Sequence, residues 1–162
     1  MNSWRNSMKV HYKINGEEKE FDIQPGELLL DVLRRNNYTE IKGNCYLGTC
    51  GACAVLINEV AKATCTTLAA QVNNAEIITI KGIGTISEPH LLQKAFVEKG
   101  AVQCGFCTPG TIISAYALLK NNPDPTEEDI KRSIDGNLCR CTGYVQQIEA
   151  IKFAIKLLKG GK

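Results

Sequence analysis

The sequence predicts an α+β chain in two parts, a small sheet packed on one helix followed by four helices. Two observations predict it. In the first half apolar residues mostly alternate with polar ones, and in the second half they recur at helical spacing. The eight cysteines also divide evenly: Cys45, Cys50, Cys53 and Cys65 lie in the first part, and Cys104, Cys107, Cys139 and Cys141 in the second. A length of 162 residues suits one compact domain or two small ones, and 44% hydrophobic residues allow a real core.

The elements follow in order. In "VHYKI", Val10, Tyr12 and Ile14 alternate with His11 and Lys13, as in a half-buried strand. Asn15-Gly16 is a strong hairpin turn, and Phe21 and Ile23 alternate on the return strand. Pro25-Gly26 breaks the chain before "ELLLDVLRR", a helix with Leu29, Val32 and Leu33 on one face that ends at Asn36-Asn37. "CAVLIN" and "VAKATC" form a second hairpin around Asn58-Glu59, and "AEIITI" is a last strand. The boundary falls near Gly82–Ser87, giving parts at 8–83 and 84–160. Ser87 is the expected N-cap of "EPHLLQKAFVEKG", with Gly100 just past its end. Thr108-Pro109 opens the next helix, which puts Ile112, Ala115 and Leu119 on one face. Thr126 caps "EEDIKRSI", whose first turn holds three acids. Thr142 precedes a final helix with Ile148, Ile151, Ile155 and Leu158 on its apolar stripe.

Charge excludes some functions. The net charge is +2 and spread out, with no basic stripe to bind nucleic acid. Apolar runs such as "YALL" fall far short of the roughly 20 residues of a membrane span. "MNSWRNSM" lacks the apolar core of a signal peptide, so a cytoplasmic chain is expected, with Met8 as an alternative start.

In a cytoplasmic chain, grouped cysteines point to metal before disulfides. Cys139 and Cys141 are also too close in sequence to bridge each other easily. Cys45, Cys50, Cys53 and Cys65 read C-x4-C-x2-C-x11-C, whose first part is the plant-type spacing for a [2Fe–2S] cluster. Gly43, Gly48 and Gly51 suit a loop that wraps a bulky anionic group, although each is also an ordinary turn residue. Cys104, Cys107, Cys139 and Cys141 read C-x2-C-x31-C-x-C. Both pairs are followed by Thr and a helix start, so two helical hairpins can bring them to one shared site. A dithiol redox reading of "CGFC" leaves Cys139 and Cys141 unused. A zinc site usually shows pairs two to four residues apart. A Rieske centre needs two histidines, and His11 and His90 lie beside no cysteine motif and read as surface residues.

The stretches "CYLGTCGAC", "ATCTTLA", "GAVQCGFCTPG", "NPDPTEEDI" and "GNLCRCTGY" together resemble the iron–sulfur subunit of the molybdenum hydroxylases, the xanthine dehydrogenase family. The resemblance runs from about Met8 to Ile155. It implies a β-grasp ferredoxin-like domain and a four-helix domain, each holding one [2Fe–2S] cluster on its four cysteines. It implies electron flow from a molybdenum–pterin centre on a large subunit, through the C-terminal and then the N-terminal cluster, to FAD on a medium subunit. A dimer of such heterotrimers is implied, with xanthine-like purines the first expectation for substrate. Nicotinate, other N-heterocycles, aldehydes, carbon monoxide and aromatic acyl-CoA are the alternatives, as is a free two-cluster carrier. Gln103 matches the glutamine lying against the pterin, and Cys141 matches the ligand nearest it; Gln103 also reads as a plain polar residue before a bend, and Arg140 as a partner contact or a solvated side chain. The chain alone shows no acid–base pair for catalysis. Asn44 stands where most members have Gly, Tyr46 and Leu47 are bulkier than is common, and Glu59 replaces a frequent turn glycine.

Overall fold

Strands β1 (Met8–Ile14) and β2 (Glu17–Ile23) pair antiparallel across Asn15-Gly16, both with positive φ (51° and 90°), the geometry of the hairpin turn that Asn-Gly favours. The computed structural model describes residues 7–160. Val10, Tyr12 and Ile14 alternate inward as the pattern predicts. Strands β3 (Ala54–Ile57) and β4 (Val60–Ala63) form the second hairpin, with Asn58 and Glu59 at φ 47° and 70°. Strand β5 (Ala75–Ile78) runs between the hairpins, parallel to β1 and antiparallel to β3, so the sheet order is β2-β1-β5-β3-β4.

Helix α1 (Leu29–Arg35) crosses one sheet face and buries Leu29, Leu30, Val32 and Leu33 against Val10, Tyr12, Ile23 and Ile77. Each such side chain contributes about 1.5–3 kcal/mol by leaving water. Tyr12 is buried whole, and its hydroxyl stays satisfied by donating to Ala69 O at 2.7 Å.

The last strand is shorter than "AEIITI" predicts. Thr79 leaves the sheet to cap a single helical turn, α2 (Ile80–Ile83), and Asn15 pins it there through hydrogen bonds of 2.9 and 3.0 Å. Four longer helices follow: α3 (Leu91–Glu98), α4 (Thr108–Asn121), α5 (Glu127–Ile134) and α6 (Val145–Gly160). They enclose a core of Leu92, Phe96, Ile112, Ile130, Ile134, Ile151 and Ile155. A smaller cluster of Leu56, Ile113 and Ala117 joins α4 to the sheet.

Four local expectations shift. His90, not Ser87, caps α3: its ring accepts from Leu92 N–H while the Gln93 side chain accepts from His90 N–H. His90 is therefore half-buried, edge-on to Tyr116, rather than a surface residue. Cys107 is the N-cap of α4, which moves Thr108 into the first turn. The apolar stripe of α6 is rotated, so that Gln147, Ala150, Ile151, Ala154 and Ile155 are buried while Leu158 is 43% exposed. Small alanines let α3 lie close, so the buried face follows Ala150 and Ala154 rather than the largest side chains.

Candidate functional site

The loop after α1 carries Cys45, Cys50 and Cys53, and a short 3-10 turn at Thr64–Thr66 carries Cys65. Tyr46, Gly48 and Gly51 all have positive φ (55°, 73° and 67°), and these left-handed steps curl the loop around its thiols. Gly51 also needs to lack a side chain, because a Cβ there would overlap the Asn137 amide and crowd Gly136 O. Gly43 differs from the expectation. Its φ is not positive, and the nearest atoms a Cβ would meet are the Tyr46 hydroxyl at 3.2 Å, and a Leu30 methyl and the Tyr46 ring, each at 3.6 Å.

The second set lies at the helix ends. Cys104 and Cys107 precede α4, and Cys139 and Cys141 precede α6. Tyr144, at φ 68°, turns its hydroxyl back to accept from Cys139 N–H at 2.9 Å. Thr142 lies 3.1 Å (Oγ1) and 3.5 Å (N) from the Cys139 sulfur. Gln147, wholly buried on α6, donates to Cys107 Sγ at 3.4 Å. Cys104 and Cys141 are exposed, 3.7 Å apart, at an open cavity of about 420 Å³ that Phe106, Leu138, Arg140 and Tyr144 also line. Gln103 is exposed beside Cys104, and Arg140 is exposed between its two cysteines.

The donor set fits a dinuclear iron–sulfur group. None of the eight cysteines is in a disulfide, although they touch in pairs: Cys45 with Cys50, Cys53 with Cys65, Cys104 with Cys141, and Cys107 with Cys139. Two pairs at each site match two irons holding two thiolates each. Among the described residues no three His, Cys, Asp or Glu side chains are arranged to hold a single ion, which is the arrangement zinc would need. Thr108 Oγ1, beside Cys107, is buried without a hydrogen-bond partner and needs one that the protein does not supply.

The electrostatics agree. Burial pushes the Cys107 thiol up to about 11, and burial with the Cys53 contact does the same to Cys65. Such groups become thiolates readily only beside a cation. Cys45 is held down at about 5 by Leu47 N–H (3.4 Å) and by Thr49. Burial is the largest influence on Cys139 and opposes its ionisation, but the Thr142 hydroxyl and N–H, the Cys141 N–H and the Cys107 contact together outweigh it and bring the thiol to about 7.

The two thiol loops also meet. Leu138 N–H donates to Cys50 O at 2.9 Å, and the Asn137 amide donates to Gly51 O at 3.2 Å. A Cβ on Gly110, in the first turn of α4, would overlap Gly51 O. Main chain thus runs from a cysteine of one set to a cysteine of the other with a single hydrogen bond between. Sequence reasoning missed Asn137, Tyr144 and Gln147. Gln147 had a faint signal, a polar residue in line with Ala150 and Ala154; Asn137 and Tyr144 had none apart from their nearness to Cys139.

Comparison with known proteins agrees with both halves. Residues 12–76 match the family model of the 2Fe-2S iron-sulfur cluster binding domain, and 79–152 match that of the [2Fe-2S] binding domain. The chain is 45% identical to the nicotinate dehydrogenase small FeS subunit of Eubacterium barkeri, over 93% of this chain and 97% of that one. It is 42% identical to a probable xanthine dehydrogenase subunit of Bacillus subtilis, over 81% of this chain and 76% of that one. Among solved structures it superposes on a chain of quinoline 2-oxidoreductase from Pseudomonas putida 86 with a TM-score of 0.89 and 35% identity, covering 96% of this chain and 98% of that one.

Proposed function

The chain belongs to the small iron–sulfur subunits of the molybdenum hydroxylase family, and from that premise we propose that it wires a molybdenum–pterin centre on a large subunit to FAD on a medium subunit. It is an electron-transfer component of an oxidoreductase complex and carries two [2Fe–2S] clusters. Bound clusters supply one-electron redox chemistry. We assign Cys45, Cys50, Cys53 and Cys65 to the cluster of the domain at 8–83, and Cys104, Cys107, Cys139 and Cys141 to that of the domain at 84–160. Gly48 and Gly51 shape the first loop, and Gly43 belongs to its approach.

The observation that carries the reading is the joined loops, in which Leu138 N–H meets Cys50 O at 2.9 Å. A free carrier needs one cluster near its surface, whereas here two thiol sets are coupled by main chain. Electrons enter at the exposed Cys104–Cys141 pair, where Gln103 and Cys141 face the pterin and Phe106, Leu138 and Val145 offer apolar surface to the large subunit. They leave at the first loop, where Tyr46 and Leu47 are exposed beside Cys45. We place the complex in the cytoplasm as a dimer of heterotrimers; among the described residues no helix is long and apolar enough to cross a membrane.

The substrate we propose is an N-heteroaromatic ring, nicotinate before a purine. The 45% identity to a nicotinate dehydrogenase subunit supports nicotinate, and the 42% identity to a probable xanthine dehydrogenase subunit keeps purine second. The test is to isolate the native complex and assay it with nicotinate, xanthine and an aldehyde. Two distinct paramagnetic signals on reduction and hydroxylation of an N-heterocycle are expected. Turnover of the aldehyde alone would overturn the substrate, and a chain that purifies and functions without a large subunit would overturn the wiring role.

A further inference from the structure

We propose that Gln147 is a positioning residue that raises the redox potential of the second site by donating a hydrogen bond to the sulfur of Cys107. The inference rests on the reading of Cys107 as a cluster ligand. Gln147 is wholly buried in the stripe of α6 that also holds Ala150, Ile151 and Ala154. Its Nε2 lies 3.4 Å from Cys107 Sγ, while its Oε1 is buried with no partner.

An apolar side chain would fill this place without orphaning an oxygen, so packing alone does not account for an amide. The reverse orientation would aim Oε1 at the sulfur, where a thiolate with no proton to donate would repel it. Only the orientation with the donor toward Cys107 suits a ligated sulfur, and the unpaired oxygen is the cost of holding it.

The other second-site sulfurs are served differently. Cys139 is contacted by Thr142, and Cys104 and Cys141 are exposed to solvent or a partner. Cys107 is buried, and the Gln147 amide is the side-chain donor that reaches it. Reduction adds one electron and no proton donor, and part of the new negative charge resides on the ligand sulfurs. A donor at the sulfur favours the reduced form and therefore raises the potential.

The experiment compares the wild-type complex with Gln147→Leu and Gln147→Met complexes. Each is titrated with dithionite while the two paramagnetic signals are followed, and its thermal midpoint is measured. Only the second-site signal should shift to lower potential. At the ambient potential that half-reduces the wild-type site, its oxidised-to-reduced ratio should rise on the order of tenfold, the scale of one hydrogen bond to a charged group. For a one-electron couple tenfold corresponds to about 59 mV. The thermal midpoint should hold or rise, because the orphaned oxygen is gone, whereas a merely structural glutamine would lower it and leave the potential in place. Unchanged potentials in both variants overturn the proposal. So does loss of the second signal in both, since Gln147 would then build the site rather than tune it. A wild-type complex without two signals would instead count against the cluster assignment itself.

Discussion

The two thiol sites solve one problem with different materials. The first is made mostly of main chain: left-handed steps at Tyr46, Gly48 and Gly51 curl a loop so that Leu47 N–H reaches Cys45. Cys50, Cys53 and Cys65 are buried inside it. The second is made of helix ends and side chains, with Thr142 at Cys139, the Tyr144 hydroxyl on Cys139 N–H, and the Gln147 amide at Cys107. Half of its sulfurs are exposed at an open cavity. A site enclosed by its own backbone is buffered against side-chain change. A site finished by side chains and left open on one side is easily tuned and needs a partner to complete it.

Four substitutions test this contrast, from the largest expected effect to the smallest. Cys139→Ser should abolish the second paramagnetic signal, keep the first, and lower turnover of the complex by more than about 100-fold, the upper end of what loss of a supporting partner costs a metal site. Retention of both signals would refute the ligand assignment. Gly51→Ala attacks the place where the sites meet. A left-handed alanine crowded by Asn137 and Gly136 should destabilise the chain by about 3 kcal/mol, read as a lowered thermal midpoint, and should disturb both signals. A disturbance of the first signal alone would mean that the loops are independent.

Tyr144→Phe removes the acceptor for Cys139 N–H and should cost about 1 kcal/mol, with a shift confined to the second signal. Leu47→Ala should do least. Leu47 is 74% exposed and acts at Cys45 through its N–H, so stability should stay within about 0.5 kcal/mol and the first-site potential should not move. A shift there would show that side chains tune the first site after all.

The cysteine spacings, both hairpin turns and the division into sheet and helices are legible in the sequence, because each is a local pattern. Asn15-Gly16 announces its turn within two residues. What stays hidden depends on distant neighbours. Asn137 and Gly51 are 86 residues apart, and nothing near either marks the contact. The cap of α3 is hidden too, because Ser87 is a better capping residue than His90 in isolation. In the fold, Gln93 accepts from the His90 N–H and also donates to Gly84 O, which fixes the helix start three residues later. The buried face of α6 follows its alanines, a choice made by the approach of a neighbouring helix.

The hydrogen bond from Leu138 to Cys50 has a consequence for how the subunit matures. Each loop is part of the wall of the other, so an event that orders one also favours the other, and by linkage the two sites should fill cooperatively. Chains recovered from iron-starved cells should then be mostly empty or doubly loaded, with singly loaded forms rarer than independent filling would give. Native mass spectrometry would count the three populations, and a statistical distribution among them would show that the loops assemble separately.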